Sequence, residues 1–325
     1  MGLSRRAILQ GAAASAFVPC SAVLATSYPS RPIKIVVPFA AGGTLDPPIR
    51  ILTEAMSKLA GQTLVVENRA GAGGTLGADN VAKAEPDGYA LLASSGSMTI
   101  SQTVYARLPW NVATDFKWIG NFGTLPSVLV VNTGRVPVST LAEFVVFANS
   151  RSDELNYGSP GFGTASHLAG EMLKERAGFK MRHVSYRGGA PAVTDLRGGQ
   201  IDAMVAGLSS VTPLLGAPNI KVIAVTGRER STLIPDVQTV AETVTGFSAE
   251  TWLGLAGPAK FSADIQKRLA YWMEAVLQVP DVRRRLIELG VTPGFDNAEK
   301  VSQIVTAELG TISAIVKRIG IQPIQ

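Results

Sequence analysis

The sequence has a single cysteine, Cys20, in 325 residues. That excludes an internal disulfide, a zinc site built on paired cysteines and a dithiol redox couple. It has two histidines, His167 and His183, so a multi-histidine metal centre is excluded and any Ser-His-Asp triad must use one of them. No metal or cofactor is expected. Charged residues make up 17% of the chain, below the roughly 25% of an ordinary domain. Aromatic residues are 6%, too few to offer a stacking surface for bases. The formal charge of +5 therefore does not point to nucleic acid: the 30 basic residues are scattered, and the one tight run, Arg283-Arg284-Arg285, reads as a solvated helix face. Three catalytic or nucleotide-binding signatures are missing: the Gly-x-Ser-x-Gly elbow, the Gly-x4-Gly-Lys-Ser/Thr loop and His-Glu-x-x-His.

The first 25 residues read as an export leader. Arg5-Arg6 precedes a stretch without charge from Ala7 to Ser30, and Val23-Leu24-Ala25 offers a small-residue cleavage point. The arginine pair suggests the twin-arginine route, and a Sec route stays open because Ile8 and Gln10 replace the usual Phe and Lys. Pro19 directly before Cys20 argues against lipid attachment there. After the leader no run of 18 apolar residues occurs, so the mature chain is expected to be soluble, periplasmic and free of cysteine.

Glycine is abundant, at 33 residues. Short β-branched runs alternate with amphipathic helical stretches, which implies an α/β fold with parallel strands and right-handed crossovers. The strands are expected at Pro32–Phe39, Thr63–Glu67, Tyr89–Ala93, Val128–Val131, Leu155–Gly158, Arg182–Tyr186, Ile201–Val205, Val222–Val225 and Thr251–Ala256. Helices are expected at Ile49–Leu59, Leu76–Ala84, from Thr140 onward, Ser166–Ala177, Ile265–Val276 and Ala298–Ile319. The helical tail cannot form a domain of its own and should pack back on the first. This gives one lobe from residues 26–124 and 251–325 and a second from 125–250. Thirteen of the glycines fall on strand exits: Gly42, Gly43, Gly71 to Gly77, Gly96, Gly158 to Gly163, Gly188, Gly189 and Gly207. There they make either tight βα turns or a cleft in which backbone amides and helix N-termini converge on an anion.

Single residues carry less. Asp46, before Pro47-Pro48, reads as a helix N-cap, as a carboxylate that meets ligand directly or through water, or as both. His167 and His183 read as structural. Gly71-Ala72-Gly73-Gly74-Thr75-Leu76 imitates a dinucleotide loop but has Leu76 at the third glycine and no acid at the end of the next strand.

Six segments together resemble the substrate-binding receptors of tripartite tricarboxylate transporters, the Bug receptors. They are Tyr28-Pro29-Ser30-Arg31-Pro32-Ile33, Pro38 to Gly43 with Asp46, Val66 to Gly74, Pro86-Asp87-Gly88-Tyr89, Gly163 to Glu171, and Gly198-Gly199-Gln200-Ile201-Asp202. The resemblance implies a two-lobed periplasmic binding protein of the type II, Venus-flytrap kind, each lobe a mostly parallel sheet flanked by helices. It implies a monomer, without enzymatic activity, that closes on a small carboxylate and delivers it to membrane transporter subunits. Carried over from the family, the ligand-binding residues are Phe39, Gly42, Gly43 and Asp46 in the first loop and Ser94, Ser95 and Gly96 in another. Ser159, Gly161, Gly163 and Thr164 would come from the second lobe, and Gly207 stands at a further strand exit. Leu45 replaces a small or hydroxylated residue of the family, Pro47 and Pro48 remove two amide donors, and Ala206-Gly207 stand where many relatives have an acid. These departures favour a plain or aromatic carboxylate over an amino acid. The alternatives are an exported α/β enzyme, perhaps dinucleotide-dependent, and a periplasmic sensor of the same ligand.

Overall fold

The computed structural model describes residues 28–324; the expected leader, with Arg5-Arg6, the cleavage point after Ala25 and Cys20, lies outside the described residues. The chain begins with β1 (Ile33–Val37), whose apolar side chains are buried, followed by α1 (Asp46–Ala60). Helix α1 turns Ile49, Leu52 and Met56 inward, and Gly61 ends it with φ +67°, a left-handed cap that a side chain would strain. Strand β2 (Leu64–Asn68), α2 (Thr75–Ala82), β3 (Ala90–Ser95) and α3 (Ser97–Val104) complete the first run.

A 17-residue strand, β4 (Phe116–Asn132), then leads into α4 (Leu141–Ser150), β5 (Leu155–Ser159), α5 (Ala165–Ala177) and β6 (Met181–Ser185). After α6 (Gly189–Arg197), β7 (Ala203–Gly207), the short α7 (Leu208–Val211) and β8 (Ile220–Val225), the chain returns through β9 (Glu250–Pro258). It ends with α8 (Ala263–Val276), α9 (Pro280–Ile287), β10 (Thr292–Asn297) and α10 (Ala298–Ile319).

The strands run in the order β2-β1-β3-β9-β4-β7-β5-β6, with β8 and β10 also on β4. The expected parallel core is present twice, as β2-β1-β3 and as β6-β5-β7. What the alternation did not signal is the antiparallel part: β9 on β3, and β4 on β7, β8, β9 and β10. The sheet is therefore mixed. Strand β4 serves both halves, its residues 116–126 pairing with β9 and its residues 127–132 with β7 and β8. Helix α9 starts with Pro280 in its first turn, so the proline that stops α8 also opens the next helix. Arg284 and Arg285 lie on α9 and pair with Asp281, Glu288 and Glu54, the surface role expected of that run.

Between the halves the backbone passes twice, at Ser127 and at Ala249–Glu250, and Thr226 joins the two passages. The Ser127 amide donates to the Thr226 hydroxyl at 2.9 Å, and that oxygen lies 2.9 Å from the Ser127 carbonyl and 2.5 Å from that of Ala249. The Thr226 amide donates to Ser127 and the Ala249 amide to Thr226, and the residue is fully buried. Thr226→Val keeps the shape but leaves a buried amide without an acceptor. It should lower unfolding stability by about 1–3 kcal/mol in a urea titration, whereas Thr226→Ser should lose much less.

Candidate functional site

A small cavity, with about 30 Å³ of space for water-sized molecules, lies between the two halves. One half contributes Phe39, Thr44, Leu45, Ser95, Ser97 and, from β9, Thr251 and Leu253. The other contributes Ser127, Pro160, Thr164, Ala165, Ser166, Gly189 and Gly207. The geometry follows from the topology, because in an α/β sheet the loops at the carboxyl ends of the strands lead into helix N-termini. Leu45 immediately precedes α1, Ser97 opens α3, Thr164 caps α5, Gly189 opens α6 and Gly207 precedes α7. Each N-terminus carries a partial positive charge, largest for the longer helices. Among the described residues no charged side chain and no imidazole lines the cavity. Its wall is hydroxyl and apolar, and its electrostatics come from backbone.

The halves are in contact around it. Ser209 donates to the Thr44 carbonyl at 2.5 Å, the Thr44 and Ser210 hydroxyls are 3.4 Å apart, and the Ala165 amide donates to the Ser97 hydroxyl at 3.2 Å. A Cβ on Gly73 would stand 2.3 Å from the Phe162 carbonyl oxygen. The loop that imitates a dinucleotide fingerprint is thus pressed against the opposite half.

Of the residues expected to touch ligand, Phe39, Ser95, Thr164 and Gly207 line this cavity. Ser94 lines an adjoining recess with Phe39, Ser95 and Trp110, and its buried hydroxyl has no hydrogen-bond partner among the described residues. Gly96 lies behind Thr251, on a separate crevice, with its amide bonded to the Thr251 hydroxyl. Gly43 faces Gly189 across the halves, while Gly42, Ser159, Gly161 and Gly163 shape the loops from outside the wall. Residues not anticipated are Thr44, Ser97, Ser127, Ser166, Thr251 and Leu253. Ser97 and Ser166 were within reach of helix-start rules, one or two residues past flagged positions. Ser127 and Thr251 come from the crossing strands, and nothing local in the sequence marks them.

Asp46 corrects one expectation. Leu45 occupies the N-cap position and makes no side-chain cap, so Asp46 is the first helical residue and not the cap. Its buried carboxylate turns away from the cavity. It accepts from the Gly42 amide at 2.9 Å, from Asn68 at 2.8 Å and from Arg50 at 2.9–3.1 Å. Asn68 also donates to the Phe39 carbonyl at 3.0 Å, so Asp46 and Asn68 together hold the Phe39–Gly43 loop. Burial pushes the carboxyl up, but hydrogen bonds from Arg50, Gly42 and Asn68 outweigh it and hold it below the usual range. Pro47 and Pro48 have no amide hydrogens and the Asp46 amide is bonded to Gly43, so α1 brings its dipole to the site with little direct donation.

Elsewhere, no three His, Cys, Asp or Glu side chains come together as a metal site would need among the described residues, and no described helix is long and apolar enough to cross a membrane.

Comparison with known proteins gives a consistent result. Residues 49–321 match the family model described as tripartite tricarboxylate transporter family receptor. The protein BugT of Bordetella pertussis is 31% identical over 301 residues, covering 92% of each chain. The solved structure of the periplasmic binding protein BugD superposes with a TM-score of 0.87 at 32% identity, over 91% of this chain and 99% of that one. An R. palustris protein solved with adipate superposes at 0.88 with 30% identity, over 91% and 100%.

Asp46→Asn turns an amide nitrogen or loses a charge toward three donors. It should lower stability by about 1–3 kcal/mol, mostly through the buried contacts to Gly42 and Asn68, since the half-exposed Arg50 is screened. The native carboxyl titrates below its unfolded value near 3.9. Its stabilisation is therefore complete above about pH 4 and lost as pH falls through the lower native value, so the acid limb of a stability–pH curve should be shallower in Asp46→Asn.

Proposed function

The chain belongs to the tripartite tricarboxylate transporter receptor family, and on that premise we propose that it captures a small carboxylate between two lobes in the periplasm and hands it, as a monomer, to the membrane subunits of the transporter. The observation that carries the ligand class is the convergence of four helix N-termini, those of α1, α3, α5 and α6, on a cavity with no charged side chain among the described residues. Such a wall attracts an anion through dipoles and hydroxyls. It offers no acid to an amine, so an amino acid would bury its ammonium without a counter-charge. Phe39, Leu45, Pro160 and Leu253 give the rest of the ligand an apolar lodging, which supports a plain or aromatic carboxylate.

We take residues 26–124 with 251–325 as one lobe and 125–250 as the other, since the sheet changes partners at Ser127 and the chain returns at Glu250. The ligand-contacting set is then Phe39, Ser94, Ser95, Thr164 and Gly207. Gly42, Gly43, Asp46, Gly96, Ser159, Gly161 and Gly163 shape the loops that present it. Family membership, not the emptiness of any site, sets the enzyme alternative aside. Export by residues 1–25 belongs to the same proposal.

Native mass spectrometry of gently purified protein, followed by thermal shifts with adipate, malate and benzoate, tests this reading. A bound carboxylate at 100 times Kd should stabilise the protein by about 2.7 kcal/mol, and no shift across the panel on ligand-free protein would sink it.

A second measurement addresses closure. A Cβ on Gly207 would lie 2.1 Å from Thr44 Cγ2 and 3.0 Å from Leu125 Cδ2, so Gly207→Ala obstructs the approach of the halves. Its affinity for the panel carboxylate that binds should fall about tenfold or more, roughly 1.4 kcal/mol, with little change in the unliganded melting temperature. Unaltered affinity would mean that capture does not need this contact.

A further inference from the structure

Both histidines of the chain lie under one loop. The loop from Ser159 to Thr164 joins β5 to α5 and supplies Pro160 and Thr164 to the cavity wall. His167 Nδ1 accepts the Gly163 amide at 3.3 Å, and His183 Nε2 is 2.7 Å from the Ser159 hydroxyl. That hydroxyl in turn lies 3.2 Å from both the amide nitrogen and the carbonyl oxygen of Gly161. The two imidazoles pack at a tilt of 35° with centroids 4.2 Å apart, and the row of rings continues to Phe162 at 4.7 Å from His167 and to Tyr157 at 5.0 Å from His183. An amide can only donate, so His167 Nδ1 carries no proton in this arrangement, and a cationic ring would face the Gly163 N–H with an N–H of its own.

We propose that His167 and His183 are positioning residues for ligand capture, a closely packed and uncharged imidazole pair that fixes the Ser159–Thr164 loop through the Gly163 amide and the Ser159 hydroxyl. This rests on the receptor reading above, and it gives the histidines a task beyond packing. A flexible loop would have to be ordered when ligand binds, and that cost would be taken from affinity; a loop fixed beforehand avoids it. The charged groups facing the pair come from α5, where Lys174 and Glu171 bond to each other at 2.7 Å, and β5 adds the Tyr157 hydroxyl, which donates to Glu171 at 2.6 Å. Burial, with Lys174 nearby, lowers His167 to about 4. Burial, then the neighbouring His167, lowers His183 to about 3, Glu171 opposing. The pair therefore stays neutral throughout the ordinary range of a periplasm.

Two variants separate positioning from space-filling. His167→Phe preserves a ring against Phe162 and His183 but has no acceptor for Gly163. His167→Gln loses the ring and keeps an acceptor. In the unliganded protein, amide exchange at Gly161 to Thr164 should quicken about tenfold or more in His167→Phe, and affinity for the binding member of the adipate, malate and benzoate panel should fall by a similar factor. His167→Gln should recover most of both. Loop protection and affinity unchanged in His167→Phe, or Phe outperforming Gln, would overturn the proposal in favour of ring packing alone. Wild-type imidazole nitrogen spectra give a check that needs no variant. Both rings should be neutral near pH 5.5, where a free histidine is about 90% protonated, and a charged ring there would also overturn it. Should no panel carboxylate bind wild-type protein, the receptor reading fails, and the exchange and nitrogen spectra still decide the loop.

Discussion

The fold depends on the two places where backbone passes from one half to the other. Strand β4 belongs to both halves, and β9 brings the chain back beside it, so the two passages lie side by side at Ser127 and Glu250. Thr226 bonds to both passages from a fully buried position. A single covalent crossing would leave the halves free to rotate about it. Two adjacent crossings, bonded to each other, would limit such rotation to opening and closing, the hinge geometry of domain closure. The cavity stands beside this axis, with Ser127 and Thr251 from the crossing strands in its wall. A ligand filling it would meet the crossing strands as well as both halves, and only a differential contact with one arrangement of the halves could shift the population.

The electrostatics follow the same economy. A charged side chain in the wall would be costly to bury when the cavity is empty and shut. Helix N-termini avoid that cost, because their partial charges are already balanced along the helix and are oriented before ligand arrives. The carboxylate nearest in sequence, Asp46, would repel an anion if it faced the cavity. It is turned the other way and saturated by Gly42, Asn68 and Arg50. A residue that in the sequence has the look of a ligand contact therefore serves the site by holding the Phe39–Gly43 loop.

How much was legible depended on the range of the signal. Local signals carry far: α1 and α5 lie over their helical spacing and end at Gly61 and Gly178 in left-handed caps, α4 follows Thr140, and α10 spans the residues its periodicity predicts. The first part of β4 was not read, because its residues 116–126 are buried on both faces and interrupted by Gly120, Gly123 and Pro126, which resemble loop punctuation. Strand β10 was missed for a related reason, with Pro293 and Gly294 inside it. Strand-exit patterns locate the loops that border the cavity, but not which of their atoms face it. The side chains of Asp46 and Ser159 are engaged inside the protein, Asp46 with Gly42, Asn68 and Arg50 and Ser159 with Gly161 and His183. Orientation of that kind is set by tertiary partners such as Asn68 and His183, distant in sequence.

The glycine surplus has a more specific cause than tight turns. Across the seam between the halves, Gly43 faces Gly189, Gly73 faces Gly161 and the Phe162 carbonyl, Gly188 faces Ala40, and Gly207 faces Thr44. These are contacts of backbone with backbone or with the smallest side chains. At Gly73 and Gly207 a methyl group would come within 2.3 Å and 2.1 Å of the opposite half. If the site grips with amides and dipoles, whose effect falls off within a helical turn, the two sets of N-termini must come close to one small ligand. Side chains at the seam would hold them apart. The glycines at this seam then answer to one requirement, that two main chains come almost to contact.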